Sequence, residues 1–249
     1  IHDVRGEERR TMVRQAFQNR LRSSPGVVAS REGSLGCSLL METIDMELPV
    51  SVEDSIQELI DTGLDPSGEV AVDDLSRWRL ERQLSQGFFL IWDWQDEPDQ
   101  DWLDARSEWH RHCRAELLRR SAEGYDSPFL VSTRLQREID AGERPRAIHR
   151  AWMVWCLHKH KPAPPTKAIW LDPFLIDYSI NWLNSQKQPS ILWFENQAVG
   201  DALAERGIVV YRAGDNPGEK AHPCAMSIQA HGIGKNLQDW SNQLVICPP

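Results

Sequence analysis

The residue types that touch phosphates gather near the end of the chain, in the string SIQAHGIGKNLQ from Ser227 to Gln238. Gly232 and Gly234 let a backbone approach a ligand closely and adopt positive φ. Ser227, Asn236 and Gln238 can hydrogen-bond a phosphate or a sugar, and Lys235 brings a positive charge. The string lies between two short apolar runs, Cys224–Ile228 and Leu244–Cys247. A strand running into a Gly-rich turn and a helix start presents backbone N–H groups to phosphates. The chemistry this suggests is binding of a phosphate backbone, not bond making. A plain glycine turn accounts for the two glycines equally well.

Other constellations carry less. His110, His112 and Cys113 stand close together, as do Cys156, His158 and His160, and on paper these are zinc ligands. Helical spacing turns His112 away from His110 and Cys113, while Cys156 continues the apolar face of Trp152 and Trp155. His158 to Lys161 reads as a solvated helix end, where cations are favoured. The pairs Asp93 with Asp96 and Asp99 with Asp101 sit in an acidic loop without an organising Lys or His. No nucleophile elbow supports Ser-His-Asp chemistry. Neither a Gly-x-x-x-x-Gly-Lys-Ser/Thr loop nor an Asp-Glu-x-His element occurs. No catalytic residue and no metal ligand is therefore expected.

The string Gly232-Ile233-Gly234-Lys235-Asn236-Leu237-Gln238 resembles motif V of superfamily 2 helicases. It is nearest to the Swi/Snf-like branch, which ends in Gly-x-Gly-Leu-Asn-Leu-Gln, so Lys235 replaces the usual Leu. With Ala230 and His231 in front, it is similar to the version in phage-type helicases. Upstream, ILWFENQAVGDALAERGIVVYRAGD (Ile191–Asp215) resembles the motif IV region, and LVICPP resembles the strand after motif V. About sixty residues carry the likeness closely; Phe17–Ser30 more loosely resembles the entry from the first lobe. The resemblance implies the second RecA-like lobe of an ATP-dependent helicase or DNA translocase. It implies that Ser227, His231, Gly232, Gly234, Lys235, Asn236 and Gln238 face nucleic acid or nucleotide, coupling hydrolysis to movement. The implied partners are nucleic acid, with double-stranded DNA the expectation, and a first RecA-like lobe. ATP and Mg2+ are implied for an intact protein, bound mainly by sequence this chain lacks. Ile1 is not Met, and the chain stops before motif VI at Pro248-Pro249. Both ends read as cuts, and the fragment alone is expected to be inert as an ATPase.

A net charge of −9 argues against nucleic-acid binding until its distribution is seen. Glu42–Asp74 holds eleven acidic residues and no Lys or Arg, more than the whole excess. Ile1–Arg22 is net positive, through Arg5, Arg9, Arg10, Arg14, Arg20 and Arg22. Local charge decides phosphate contact. Five scattered cysteines, an odd number, point to a reducing, cytoplasmic setting. No apolar run approaches the roughly 18 residues of a membrane span.

These residues need elements to position them. Beyond Lys161–Thr166, with Pro162, Pro164 and Pro165, short apolar runs alternate with helical patterns. The runs are Ile191–Phe194, Ile208–Tyr211, Cys224–Ile228 and Leu244–Cys247; the helices are Phe174–Leu183 and Ala198–Arg206. That rhythm predicts an α/β fold, a parallel sheet with flanking helices, which the resemblance makes RecA-like. Before the Pro-rich stretch, helices are expected at Glu7–Leu21, Ser51–Ile60, Leu75–Leu84, Asp101–Ala122, Ser127–Ile139 and Ala147–Leu157. Strands are expected at Val27–Ser30, Ser34–Met41 and Phe88–Trp92. Ser51 is the expected N-cap of its helix. Three regions follow: an entry segment (1–39), a Trp-rich, mostly helical insertion (40–160) and the helicase lobe (161–249). Arg106, Arg111, Arg114, Arg119 and Arg120 permit the helices to grip a duplex but do not demand it. The alternative is a non-catalytic interaction module that binds a protein through a Trp-rich helical surface.

Overall fold

Apolar residues at helical spacing in the first part of the chain, and unbroken apolar runs in the last, fold into two kinds of layer. The computed structural model describes residues 12, 40–218, 220–233, 237 and 239–246. The chain divides into two compact units, 1–46 and 47–249. The helix expected at Glu7–Leu21 and the strands expected at Val27–Ser30 and Ser34–Met41 lie outside the described residues, save Met12, Leu40 and Met41.

The second unit begins with helices α1 (Val50–Thr62) and α2 (Asp74–Leu84). Ser51 is not the N-cap of α1. Pro49 takes that place, its carbonyl accepting the N–H groups of Val52 and Glu53 at 2.9 and 3.0 Å. At α2, Asp73 and Ser76 cap each other reciprocally, Ser76 N–H to Asp73 Oδ1 at 2.8 Å and Asp73 N–H to Ser76 Oγ at 3.0 Å. Strand β1 (Phe88–Trp92) follows, then helices α3 (Gln100–Arg120), α4 (Pro128–Asp140) and α5 (Ala147–His158). Trp109, Cys113 and Leu117 of α3 recur at four-residue spacing and pack on Val131, Leu135 and Ile148 of α4 and α5.

The Pro-rich stretch lies inside this second unit. Pro165 O accepts the Asp93 N–H at 2.8 Å, and Thr166–Trp170 forms β2, antiparallel to β1 in the register Phe88↔Trp170 to Trp92↔Thr166. This two-stranded ribbon serves two cores by alternation. Phe88, Leu90, Ala168 and Trp170 face one cluster, and Phe89, Ile91 and Ile169 face Leu59, Ala71 and Leu84 of the α1–α2 layer.

Helix α6 (Phe174–Ser185), strand β3 (Ser190–Phe194), helix α7 (Gln197–Glu205) and strands β4 (Val210–Tyr211) and β5 (Cys224–Ser227) come next. The one-turn helix α8 (Ile228–His231) and strand β6 (Asn242–Ile246) complete the described fold. The four strands β3 to β6 form a parallel sheet in the order β4-β5-β3-β6. All five residues of β3 are buried, which is why its run is apolar without alternation. Leu192 and Phe194 pack under α6 and α7, while Ile191 and Trp193 pack with Cys224, Met226 and Trp240 on the opposite face. Helix α7 comes close to the sheet at Gly200, where a Cβ would stand 2.6 Å from the Phe194 ring. The chain is thus mixed α/β, a four-stranded parallel sheet with flanking helices. Among the described residues no helix is long and apolar enough to cross a membrane.

Candidate functional site

Parallel pairing brings the carboxyl ends of β3, β5 and β6 together, with Phe194 opposite both Ser227 and Ile246. From β3 the chain goes to β4 on one side of the sheet; from β5 it returns across β3 to β6 on the other. A reversal of this kind opens a crevice at the carboxyl edge, where open α/β sheets bind ligands. A crevice of about 210 Å³ lies there, lined among others by Arg82, Trp193, Glu195, Ile228, Val245 and Ile246. Ile228 and Val245 are half-exposed at its rim.

The segment after β3 is held from the helical layer. Arg82 donates to Glu195 Oε2 at 2.5 Å and lies over the Trp78 ring, 4.6 Å from its centre. Asn196 Nδ2 donates to Gln86 Oε1 at 2.7 Å, and Gln86 is buried with its own Nε2 unpartnered among the described residues. Two polar ties therefore join α2 and the turn after it to the segment that follows β3.

Of the seven residues expected to face nucleic acid, Ser227, His231 and Gly232 are described, and Gly234, Lys235, Asn236 and Gln238 lie outside the described residues. Ser227 ends β5, and the chain then enters α8 directly, where a glycine turn was expected. His231 is 2% exposed, and its Nε2 lies 2.9 Å from Arg212 O. That contact makes Nε2 a donor, and Nδ1 is buried with no partner among the described residues. Gly232 departs from expectation. Its φ is −68°, so it is needed for close approach, since a Cβ would stand 2.5 Å from Ile228 O. The next residue, Ile233, is 94% exposed.

Behind this edge, Tyr211 Oη donates to His222 Nε2 at 2.9 Å, and Trp240 Nε1 donates to His222 O at 2.8 Å. His222 Nδ1, 3.0 Å from Lys220 O, carries the ring proton in this arrangement. Burial pushes the Cys224 thiol up to about 11, and it raises the Tyr211 phenol as well, helped there by Cys224 and Asp215. These groups pack the sheet and offer no nucleophile.

Several helical residues whose types suit metal or duplex binding have structural roles instead. Cys113 is fully buried, and burial, then Asp73 and Glu116, push its thiol up to about 12. Burial, then Arg106, hold His110 down to about 4, and His112 sits 2.9 Å from Glu108. Among the described residues no group of three His, Cys, Asp or Glu side chains is placed to hold a metal ion. Asp93 pairs with Lys167 at 3.3 Å; Asp99 pairs with Lys161 at 2.6 Å and caps α3. The α3 arginines have internal partners too. Arg106 pairs with Glu69 and Arg111 with Glu108, while Arg114 donates to the carbonyls of Gly63 and Ala71 at 3.3 and 2.7 Å. Arg119 and Arg120 both reach Glu116 at 2.6 Å. The tryptophans pack largely on one another, Trp102 edge-on to Trp92, Trp94 and Trp155, and Trp109 against Trp152. Trp102 and Trp109 are buried, so they build the core and display no surface.

Arg82, Gln86, Glu195 and Asn196 were not expected from sequence. Glu195-Asn196 carries a usable signal, a polar pair straight after a buried apolar run. Arg82 and Gln86 carry none, since their partners lie 113 and 110 residues away. Compared with models of known families, with curated proteins and with solved structures, the chain matches none.

Proposed function

We propose that residues 161–249 form the second RecA-like lobe of an ATP-dependent nucleic-acid helicase or translocase, with residues 40–160 as its accessory region. The observation that supports this best is where the motif-V-like string begins. Ser227 stands at the carboxyl end of β5, beside the end of β3 and the crevice, at the reversal of strand order. In this lobe Ser227–Gln238 touches the backbone of duplex DNA and the nucleotide, with Lys235 supplying charge. The described residues hold no cluster for Mg2+, and the sequence has no P-loop. ATP and Mg2+ are therefore held mainly by a partner lobe, and this one contributes contact and coupling. A sheet edge of fixed geometry suits that role, since movement between two lobes needs rigid surfaces.

The test uses the intact protein, which on this proposal has a P-loop and an Asp-Glu-x-His element upstream and a Gln-x-x-Gly-Arg-x-x-Arg element downstream. Lys235→Ala and Gln238→Ala should each lower the stimulation of ATP turnover by duplex DNA. Lys235→Ala should also reduce by about one the slope of log affinity against log salt. Unchanged stimulation in both variants, or an intact protein without those elements, overturns the proposal.

A further inference from the structure

Helices α3 and α5 leave a trough between them. Trp102 of α3 meets Trp155 of α5, and Trp109 meets Trp152, so the helices run antiparallel. The trough has a volume of about 510 Å³. One lip is Asp101, Asp104 and Glu108, spaced so that all three share a face of α3. The other is Ala147, Arg150, Val154 and His158, a matching stripe on α5. Ala105 and Ala151, both buried, leave the space between the lips unfilled. At 1.5 Å per residue the α3 lip runs about 10 Å and the α5 lip about 16 Å, two to three helical turns. Val154 is 47% exposed at the rim.

The charges of this trough do not satisfy one another. Among the described residues no ion pair crosses it: Asp104 has only the amide of Gln100, at 2.7 Å, and Glu108 turns to Arg111 and His112 on its own helix. Three carboxylates face one guanidinium. Like charges along one helix face repel, so a cation laid beside them is stabilising.

We propose that the α3–α5 trough docks an amphipathic helix of a partner protein, with apolar side chains over Ala105 and Ala151 and Lys or Arg along the edge facing Asp101 and Asp104. The lips set the occupant's length, the small residues admit its apolar anchors, and the acidic lip selects its charge. Docking here leaves the sheet edge free, so it is independent of the motor role.

The probe is a labelled synthetic helix of about twenty residues, long enough to be helical in water, with a Leu/Ala stripe and Lys elsewhere. Its counterpart carries Glu in place of Lys. In fluorescence anisotropy with the whole chain, the Lys peptide should bind and weaken with salt, and the Glu peptide should not bind. Asp101→Asn with Asp104→Asn should weaken the Lys peptide on the order of tenfold, and Val154→Arg by a similar factor. The remote pair Asp54→Asn with Asp61→Asn should change nothing. Hydrogen exchange should slow along 100–108 and 147–158 when the peptide binds. No binding, equal binding of both peptides, or equal weakening by the remote pair overturns the proposal. So does a concentration-dependent dimer that Val154→Arg dissolves, because the occupant is then a second copy of this chain.

Discussion

Glu116 is the residue whose removal is most informative about how the helical layer is held. It is 7% exposed, accepts from Arg119 at 2.6 Å and from Arg120 at 2.6 Å, and stands 3.7 Å from Arg146. Burial alone raises the pKa of its carboxyl, but the hydrogen bonds from Arg119 and Arg120 outweigh burial and hold it at about 2. A fall from 4.5 to about 2 is worth about 3 kcal/mol of stability at neutral pH. Arg119 is half-exposed and water screens its share, so Glu116→Gln should cost about 2 kcal/mol. The sign of the pH dependence follows from the depressed value. The unfolded carboxyl takes its proton near 4.5 and the folded one only at about 2, so the stabilisation is complete above about pH 6 and is lost through that window. By about pH 3.5 roughly 1 kcal/mol should be gone. The assay is urea unfolding followed by tryptophan fluorescence, wild type against Glu116→Gln, from neutral pH downward. The two midpoints should converge as the pH falls. A difference that stays flat, or widens, would refute an ionised, arginine-held Glu116.

Three further outcomes follow from the same geometry. Arg114→Ala should destabilise the chain by about 2 kcal/mol in the same urea assay, because it strips the donor from the buried-side carbonyls of Gly63 and Ala71; a loss under about 0.5 kcal/mol would mean water replaces the guanidinium. Gly232→Ala should cost about 1–3 kcal/mol of stability, since its Cβ would stand 2.5 Å from Ile228 O, and on the proposed function it should also weaken duplex DNA binding several-fold. Thiol labelling of the native chain near pH 8, mapped by mass spectrometry, should modify Cys156 well before Cys113 and Cys224, which are buried and pushed up to about 12 and 11; equal rates at all three would show the cores opening.

Much of the sheet is legible in the sequence because its signals are local. Ile191–Phe194 reads as a buried strand from four apolar residues in a row, and Asp73 with Ser76 caps α2 through groups three apart. What escapes is whatever depends on distant partners. Thr166–Trp170 follows three prolines and is half-exposed, and only its pairing with Phe88–Trp92 makes it a strand. Ser51 is a good capping residue in isolation, yet the fixed φ of Pro49 ends the preceding segment first. Of the candidate site, Ser227, His231 and Gly232 are singled out by their string alone, while Arg82 and Gln86 reach the strand end only through the folded α1–α2 layer. The α3 arginines look free for phosphate when read along one helix. Their carboxylate and carbonyl partners lie across a turn or in another element.

The ribbon of β1 and β2 has a consequence for how the chain tolerates change. Asp93 and Pro165, where the chain leaves the ribbon and comes back, meet in a single 2.8 Å hydrogen bond. The path between them, α3 to α5, is in polymer terms one large loop whose two ends are already closed. Closure entropy rises only with the logarithm of loop length, so lengthening or trimming this excursion costs little at the closing pair. The parallel sheet can thus keep its register while the helices that carry the trough diverge from one protein to the next.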